Sequence, residues 1–477
     1  MIAYDAVVVG AGPNGLTAAA RLATSGRRVL VIEAAPTIGG GCRTAELVVP
    51  GVRHDVCAAV HPSGICSPAF AALRLEDHGL VWKHPPIALA HPLEGDRAAI
   101  LDHSVDVTAD ALDDDTAGDG DRYRALVQPL LDRWDGVVDT ALGPIVRWPS
   151  SIGAATRFAL AGLPSAQLAA RRFRGPAGKA LIAGLSAHSF LPLDRPFTAG
   201  VGLTLGLFAH RAGWPVAEGG SQSIVDALGR IVTAHGGTIE TGRTVTSLRD
   251  LPADVPTLLD VTPRQLVAMA DGRLDGLRGR PYRRFRYGPS VAKVDYVLSG
   301  PMPWRSAAAR RAGTVHLGGR IEEIAASERE MARGGQSARP YMLVAQAAVA
   351  DPGRIANGLQ PLWAYCHLGA GRDVAAARTA MEGQLERWAP GWRDLVVGSV
   401  ERGPVELAAY NANNVEGDIA GGAIDARQLV ARPRLRLDPY ATPLPGVWLC
   451  SSSTPPGAGV HGMAGWHAAA SVLRRER

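Results

Sequence analysis

Cysteine is scarce in this chain. The 477 residues include five cysteines, and no two of them form a CxxC pair. An odd number of scattered cysteines argues against a disulfide framework and against a zinc site. The histidines also lack metal-ligand spacing such as HExxH. We therefore expect no metal site, and a reducing, cytoplasmic setting fits the sequence best.

Long apolar runs and basic tracts are missing as well. The most apolar stretch, residues 181–208, is interrupted by charged residues and by two prolines, which excludes a spanning helix but leaves room for peripheral membrane contact. The arginines behind the formal net charge of +5 are scattered and are not interleaved with aromatic residues. We therefore expect no nucleic-acid partner. The N-terminus lacks a basic segment followed by an apolar core, so no secretory signal is expected.

Length and composition predict a folded protein of more than one domain. A chain of 477 residues exceeds what one hydrophobic core usually supports. The hydrophobic share of 47% and the charged share of 20% are close to globular averages, and 56 glycines with 34 prolines predict many tight turns. The chain therefore has ample room for a buried ligand.

A dinucleotide-binding unit is predicted at the N-terminus. A short Val-rich strand, a helical pattern and a second apolar strand follow each other within about thirty residues, the context this motif requires. At the first turn Gly10, Gly12 and Gly15 spell GxGxxG, with Pro13 and Asn14 inside it. The first glycine permits the tight turn, the second lets a pyrophosphate approach the backbone, and the third lets the helix pack on its strand. The phosphates are expected at the helix N-terminus.

An acidic residue and a second glycine-rich segment specify the dinucleotide further. Glu33 ends the second strand, next to Ala34, where a carboxylate can accept both ribose hydroxyls and would repel the 2′-phosphate of NADP. The following segment, IGGGCRT, contains Gly40, Gly41 and Arg43. These residues offer the additional backbone donors and the cation that an extended flavin dinucleotide needs. No second GxGxxG supports a separate NAD(P) site, so FAD is the expected cofactor.

The rest of the chain predicts two interleaved domains of the α/β class. The acidic run at residues 113–121 predicts a solvated loop, and helical segments rich in Leu and Ala follow it. A helix-then-strand unit later returns to the first domain. A mixed α+β region follows, with a strand predicted at residues 288–299 and helices at residues 320–332 and 373–388. The predicted division is a Rossmann-type FAD-binding domain of residues 1–105, 216–280 and 431–477, a helical cap of residues 106–215, and a substrate domain of residues 281–430.

The two ends of the chain carry a family resemblance. The GxGxxG series, Glu33 and the GGGCRT segment resemble the FAD-binding start of the amine-oxidase and phytoene-desaturase superfamily. Residues 446–469, GVWLCSSSTPPGAGVHGMAGWHAA, resemble the C-terminal signature of phytoene-dehydrogenase-like proteins, in which a glycine-rich loop and a helix N-terminus meet the flavin ring. The resemblance implies flavin contacts from Ser453, Gly462 and Met463.

The middle of the chain agrees with that resemblance. The segment GGSQSIVDALGRIVTAHGGTIETGRTV resembles the family's middle FAD segment. This implies that Val245 contacts the adenine through its backbone and that Thr262 lies near the dinucleotide. The run YGPSVAKVDYVL is similar to a phytoene-dehydrogenase-like branch that is distinct from the carotenoid desaturases proper.

Two residues are candidate catalytic groups. Lys293, one of only three lysines, lies inside an apolar strand, where an ammonium is costly without a partner. The strand is similar to one on which monoamine-type oxidases carry a Lys that holds a water at flavin N5, and the resemblance implies this role for Lys293. The alternative is that Lys293 simply pairs with Asp295 on the same strand face. His61 is placed where it could face the substrate, although a structural role fits it too.

These features predict an FAD-dependent oxidoreductase that removes hydride from a C–H bond to form C=C or C=N. The resemblance implies a phytoene-desaturase-like dehydrogenase or oxidase of a small apolar substrate. Lys293 favours an amine or alcohol oxidase instead. A redox-neutral flavin isomerase, or an interaction protein that keeps FAD for stability, is a further alternative. Oxygen or a quinone is the expected electron acceptor, and the sequence predicts no particular oligomeric state.

Overall fold

The computed structural model describes residues 4–252, 254–371 and 373–475. Its strands are β1 Ala6–Val9, β2 Val29–Ile32, β3 Thr44–Glu46, β4 Arg53–Asp55, β5 Trp82–Lys83, β6 Ile87–Pro92, β7 Ala98–Leu101, β8 Val216–Ala217, β9 Thr238–Glu240, β10 Thr257–Leu259, β11 Ser290–Leu298, β12 Ala312–Leu317, β13 Met342–Ala345, β14 Gln360–Leu368, β15 Val396–Arg402 and β16 Val447–Leu449.

Helices cover both sheets. They are α1 Pro13–Thr24, α2 Pro62–Ile65, α3 Pro68–Leu73, α4 Val105–Asp115, α5 Asp119–Leu131, α6 Trp134–Ala141, α7 Ile152–Gly162, α8 Ala166–Ala170, α9 Pro176–Ala187, α10 Thr198–Ala212, α11 Gln222–Ala234, α12 Pro263–Met269, α13 Arg280–Arg283, α14 Ala307–Arg311, α15 Ile321–Ala332, α16 Ala347–Ala350, α17 Val374–Trp388, α18 Pro404–Tyr410, α19 Ala426–Val430 and α20 Met463–Arg475.

A five-stranded parallel sheet in the order β16-β10-β1-β2-β9 forms the first layer. Strands β1 (AVVV) and β2 (VLVI) are buried along their whole length because helices or loops cover both faces of the sheet. One face packs on α1, α11 and α20, and the other packs on α12 and α13. The expected α/β fold with a Rossmann-like sheet is confirmed, whereas the exact domain limits stay a prediction.

A seven-stranded sheet in the order β15-β11-β14-β13-β12-β6-β7 forms the second unit. Its strands pair antiparallel except for β12 and β6, which run parallel. Helices α4–α10 lie beside it as the helical cap, around a core that includes Tyr123, Phe173 and Trp214. The cap and the two sheets surround a common cavity, which is described below.

The prediction of a solvated loop at residues 113–121 is wrong. Helix α4 runs through Asp115, and α5 already begins at Asp119. The Asp119 side chain is buried and accepts hydrogen bonds from the backbone amides of Arg174 and Gly175, at 2.9 and 2.8 Å. Asp113, Asp115 and Asp119 accept hydrogen bonds from helix and loop amides, which a pattern of charge alone does not reveal.

A helix that crosses a bilayer must be both long and apolar. Among residues 4–252, 254–371 and 373–475, no helix meets both requirements.

Candidate cofactor and substrate site

A cavity of about 1150 Å³ begins at the carboxyl edge of the parallel sheet and continues between the mixed sheet and the cap. In α/β folds, ligands bind beyond the carboxyl ends of the parallel strands. Sites for a single small molecule usually measure about 300–1,000 Å³. The cavity therefore has room for an extended dinucleotide and a further ligand beside it.

The GxGxxG turn forms one end of this cavity. Gly10 has a φ of +99°, which a residue with a side chain rarely adopts, and Gly12 precedes the first turn of α1 without offering a side-chain cap. A Cβ at Gly15 would lie 2.1 Å from the Gly10 carbonyl oxygen, so only glycine lets α1 approach its strand this closely. The turn thus presents backbone at the helix N-terminus, where phosphates bind.

Glu33 is fixed at the end of β2 and lines the cavity. Its carboxylate accepts the amide N–H of Ala11 at 2.7 Å and that of Ala35 at 2.8 Å. The guanidinium of Arg43 lies 3.3 Å from one of its oxygens. This geometry holds a carboxylate at the point where a ribose would follow the pyrophosphate.

Most of the predicted cofactor residues line the cavity. These are Gly10, Gly12, Pro13, Asn14, Glu33, Ala34, Gly40, Gly41, Arg43 and Val245.

The other predicted cofactor residues, which include Gly15, lie just behind the lining. Thr262 caps the N-terminus of α12, and the Ser453 hydroxyl donates to the Gly421 carbonyl at 2.8 Å. Gly462 packs against Thr17, and the amide of Met463 donates to His461 Nδ1 at 3.1 Å. His461 itself lines the cavity, together with Gly457 and Gly459, whose φ values are +110° and +124°. The C-terminal loop thus faces the cavity with Gly457 and Gly459.

Lys293 lies on β11 and is buried among charged side chains from this strand and its neighbours. Its ammonium bonds to the Asp295 carboxylate, which also lies 3.6 Å from His54 Nδ1 and 3.8 Å from the Arg402 guanidinium. Burial alone would raise the pKa of Asp295, but the charge and hydrogen bonds of Lys293 and His54 together outweigh it and the pKa is lowered. Lys293 does not line the cavity in this arrangement, whereas the neighbouring Cys57 does.

His61 has the contacts of a structural residue. It is fully buried, and its Nε2 lies 2.8 Å from the Ser221 hydroxyl. Burial lowers its pKa to about 4, so the ring is neutral at physiological pH. Its neighbours Pro62 and Ser63 line the cavity, but His61 does not. The predicted direct contact with substrate is not made in this arrangement.

Three cavity residues were missed because they carry no sequence motif. The Arg432 guanidinium is buried and donates to the carbonyls of Ser452 at 2.9 Å and Ala420 at 3.0 Å, which ties together two loops of the cavity wall. The Tyr410 hydroxyl donates to the Gly40 carbonyl at 2.7 Å. The third residue is Asp260.

Asp260 follows β10 and lies inside the GxGxxG turn. Its carboxyl group accepts a hydrogen bond from the Gly15 amide at 2.9 Å. It also lies next to Gly12, because a Cβ added to Gly12 would be 2.8 Å from Oδ2 of Asp260. Burial raises the pKa of Asp260 to about 7. A titratable carboxyl group therefore stands at the phosphate end of the cavity.

The far part of the cavity is an apolar chamber. It is lined by residues of the cap and of the mixed sheet, among them Leu163, Phe190, Phe197, Leu205, Phe208, Leu343, Trp363 and Tyr365.

One polar residue of this chamber, His188, leads into a row of buried histidines. His188 Nε2 lies 3.0 Å from His316 Nε2, and burial lowers the pKa of His188 to about 3. His91 and His316 both lie against Gly184, and the Nε2 of His91 is 2.7 Å from the Gly319 carbonyl oxygen. These rings are neutral at physiological pH and leave the chamber without charge at this wall.

The chemistry of the cavity lining suits FAD. A backbone wall with a helix N-terminus suits a pyrophosphate, the carboxylate of Glu33 suits a ribose, and Val245 lines the same cavity. The glycines of the loop Gly457–Gly459 allow a planar ring to approach backbone. The residues present therefore fit an extended dinucleotide whose ring system meets an apolar chamber.

Comparisons with known proteins agree with this geometry. Residues 8–74 match the NAD(P)-binding Rossmann-like domain family. The chain is 24% identical to "pyridine nucleotide-disulfide oxidoreductase domain-containing protein 2" of Rattus norvegicus over 99% of this chain and 93% of that protein. It is also 31% identical to one of the subunits of the limonene dehydrogenase of Castellaniella defragrans, over 26% of this chain and 22% of that protein.

Among solved structures, putrescine oxidase bound to putrescine has the same fold. The TM-score is 0.60 at 16% identity, and the match covers 99% of each chain. The family resemblance predicted from the motifs is confirmed. The chain thus has a Rossmann-like dinucleotide-binding domain, is similar over nearly its whole length to pyridine nucleotide-disulfide oxidoreductase domain-containing protein 2, and shares the fold of putrescine oxidase.

Proposed function

We propose that this chain is an FAD-dependent oxidoreductase that removes hydride from a C–H bond of a small, neutral, apolar substrate and leaves a C=C or C=N bond. The observation that carries the proposal is the continuity of one cavity from the GxGxxG turn to the apolar chamber. When bound, the flavin supplies hydride acceptance. The chain supplies binding, orientation and exclusion of water.

The charges around the cavity support a neutral substrate. Among the described residues that line it, Glu33 and Asp260 are the only carboxylates, and both lie at the dinucleotide end. A cationic substrate would leave water for an apolar chamber without a counter-ion, which is costly. A desaturase-like dehydrogenase therefore fits the chamber better than an oxidase of a charged amine. The relative whose name gives limonene as its substrate agrees with this choice.

An amine or alcohol oxidase is the second candidate, and an aromatic pair favours it. Trp363 and Tyr365 line the chamber with their rings nearly perpendicular and their centroids 5.1 Å apart. Such faces bind cations and amines. The Lys293 ammonium lies 5.3 Å from the Trp363 ring, behind this pair. The predicted catalytic role of Lys293 would require its ammonium to leave Asp295 and reach the cavity that Trp363 lines.

The visible spectrum of the purified protein tests the proposal. We expect a yellow protein whose flavin band is bleached anaerobically by a neutral olefin or alcohol and restored by oxygen or by a quinone. Bleaching by charged diamines alone would favour the second candidate. A protein that takes up no FAD would overturn both candidates, and a flavin that no substrate class bleaches would favour the redox-neutral or non-catalytic alternative.

Lys293→Met separates the two oxidative candidates. If Lys293 assists reoxidation, the variant is bleached normally but regains its oxidised spectrum about a hundredfold more slowly in air, the lower end of general acid-base effects. If Lys293 only pairs with Asp295, reoxidation is unchanged and only stability falls. Lys83→Met is the matched control, because Lys83 is exposed and pairs with Glu218 on the surface.

A further inference from the structure

The cap exposes large apolar side chains to solvent within one short segment. We call residues 143–174, which include α7 and α8, the cap surface. Helix α7 has the sequence IGAATRFALAG and buries only Ala154 and Gly162. Contiguous exposed apolar groups of this kind mark interaction sites. The exposed side chains of the cap surface are Ile145 (55%), Trp148 (89%), Ile152 (67%), Leu160 (69%), Leu163 (44%) and Leu168 (54%).

The charge of this part of the chain has one sign. Residues 140–193 contain no Asp and no Glu, although the whole chain has 45 acidic residues. The basic residues of the cap surface are Arg147, Arg157, Arg171, Arg172 and Arg174. Arg147 pairs with Asp139, whereas the other four are exposed. The cap surface thus combines apolar side chains with unopposed arginines along the sequence.

The cap surface also contains the entrance to the substrate chamber. Ile145 and Leu163 are exposed and at the same time line the large cavity. On the other side of α7, Leu160 and Leu168 line a second groove of about 380 Å³, with Arg171 and Arg172 at its edge. An apolar ligand that leaves a hydrophobic phase at this surface would meet the chamber directly.

We propose that the cap surface docks on a membrane that carries anionic phospholipids and that the apolar substrate enters the chamber from the bilayer. Trp148 and the leucines lie at the boundary between head groups and acyl chains, where a partly apolar, partly polar side chain such as Trp is favoured. The arginines extend to the lipid phosphates. Docking of this kind needs no spanning helix. Only its second part, substrate entry, rests on the proposed function.

Vesicle flotation tests the docking. The FAD-loaded full chain is mixed with vesicles of phosphatidylcholine alone or of phosphatidylcholine with phosphatidylglycerol. We expect the protein to float with the anionic vesicles, less so at high salt because salt screens the arginines. In the double variant Trp148→Glu and Leu160→Glu we expect the vesicle-bound to free ratio to fall by about tenfold or more, since two apolar contacts become charges.

The matched control carries the same change elsewhere. Leu277→Glu and Val405→Glu replace side chains that are 85% and 75% exposed, outside the cap surface. This variant is expected to float like the wild type, and both variants should keep the flavin spectrum and the melting temperature of the wild type. Equal losses in both variants, or no flotation of the wild type with either vesicle, would overturn the proposal.

Light scattering after gel filtration tests whether the cap surface binds a second copy of the chain instead of a membrane. The membrane proposal would be wrong if the wild type is a dimer that does not float and the Trp148→Glu and Leu160→Glu variant is a monomer. That result would show that the cap surface binds another copy of the chain. These readouts do not depend on turnover. Failure of docking and failure of the proposed reaction are therefore separate results.

Discussion

Asp260 is the residue whose charge state matters most at the dinucleotide end of the cavity. The carboxyl group accepts the Gly15 amide within the GxGxxG turn, and burial raises its pKa from 3.8 to about 7. The folded protein therefore binds a proton at Asp260 over a pH range in which the unfolded chain has already lost it. Its contribution to stability falls as the pH rises from about 4 to about 7 and is constant above that range.

Asp260→Asn tests this linkage. Between pH 4 and pH 7 the wild type should lose up to about 4 kcal/mol of unfolding free energy relative to the variant, from a shift of about three pKa units. Urea unfolding of the apoprotein at several pH values measures the difference. Because an ionised Asp260 would repel the pyrophosphate, the wild type should also bind FAD more weakly at pH 8 than at pH 6. A difference between the two proteins that does not vary with pH would contradict this assignment.

Glu33 is expected to decide the affinity for the dinucleotide. It is held by the amides of Ala11 and Ala35 and by Arg43, so its position needs no reorganisation on binding. Glu33→Gln replaces a charged acceptor and should weaken FAD binding by about tenfold, given that hydrogen bonds to charged groups contribute about 1.5–3 kcal/mol. Fluorescence titration of the apoprotein with FAD measures this affinity. Glu94→Gln, at an exposed carboxylate paired with Arg320, should leave the affinity unchanged.

The predicted cofactor residues that line the cavity differ in kind from the cavity residues that were missed. The glycines and Glu33 could be found because their spacing is imposed by the dinucleotide itself. Asp260, Tyr410 and Arg432 reach the cavity from distant parts of the chain through tertiary packing, which produces no fixed spacing. The pairing of Lys293 with Asp295 was foreseen as an alternative, since two strand positions two residues apart share a face. The catalytic role of Lys293 stays a prediction.

At the scale of elements, the contact between α1 and α20 holds the two ends of the dinucleotide unit together. Arg21 stacks on the Trp466 ring at 3.8 Å and donates to the Trp466 carbonyl at 2.7 Å. A Cβ at Gly465 would lie 1.8 Å from the Asn14 carbonyl oxygen. The two helices can therefore approach this closely only through glycine.

Gly465→Ala is expected to push α20 away from α1 and to destabilise the protein by about 1–3 kcal/mol, the usual cost of overpacking. It should also release flavin, because α20 follows the glycine loop of the cavity. Gly383→Ala is the matched control within α17, where an added Cβ meets nothing within 4 Å. That change should stabilise the protein by about 1 kcal/mol, since alanine is the better helix former. Urea unfolding combined with the flavin absorbance measures both; equal effects of the two changes would refute the packing argument.

The elements themselves were predicted where the apolar period was clear. Strand β11 and helices α15 and α17 lie within a residue or two of their predicted limits, because a buried strand or an amphipathic helix must repeat its apolar positions. The prediction of a solvated loop around Asp119 was wrong because carboxylates of this run accept hydrogen bonds from helix and loop amides. The sequence alone does not distinguish a buried charged residue that accepts hydrogen bonds from backbone amides from a charged residue that is exposed to water.

At the scale of the whole molecule, the cavity lies where the two sheets and the cap meet. A dinucleotide bound there contacts all three only in the folded state, so binding must stabilise folding. Adding FAD to the apoprotein at about a hundredfold over its dissociation constant should contribute about 2.7 kcal/mol and raise the melting temperature by a few degrees. Differential scanning fluorimetry measures the shift. NADP, which Glu33 should repel, is the control, and an equal shift with NADP would contradict the predicted selectivity.

The order of the parallel sheet has a consequence for how the protein is made. Strand β16, helix α20 and the loop between them are synthesised after every other described element, yet they complete the sheet beside β10 and one wall of the cavity. On the ribosome, the nascent chain therefore exposes an unfinished edge at β10 and an open flavin site until β16 and α20 have been synthesised. Premature termination before Val447 would yield a polypeptide that cannot retain its cofactor, even though its GxGxxG turn is complete. Flavin capture thus depends on elements that are synthesised long after the GxGxxG turn.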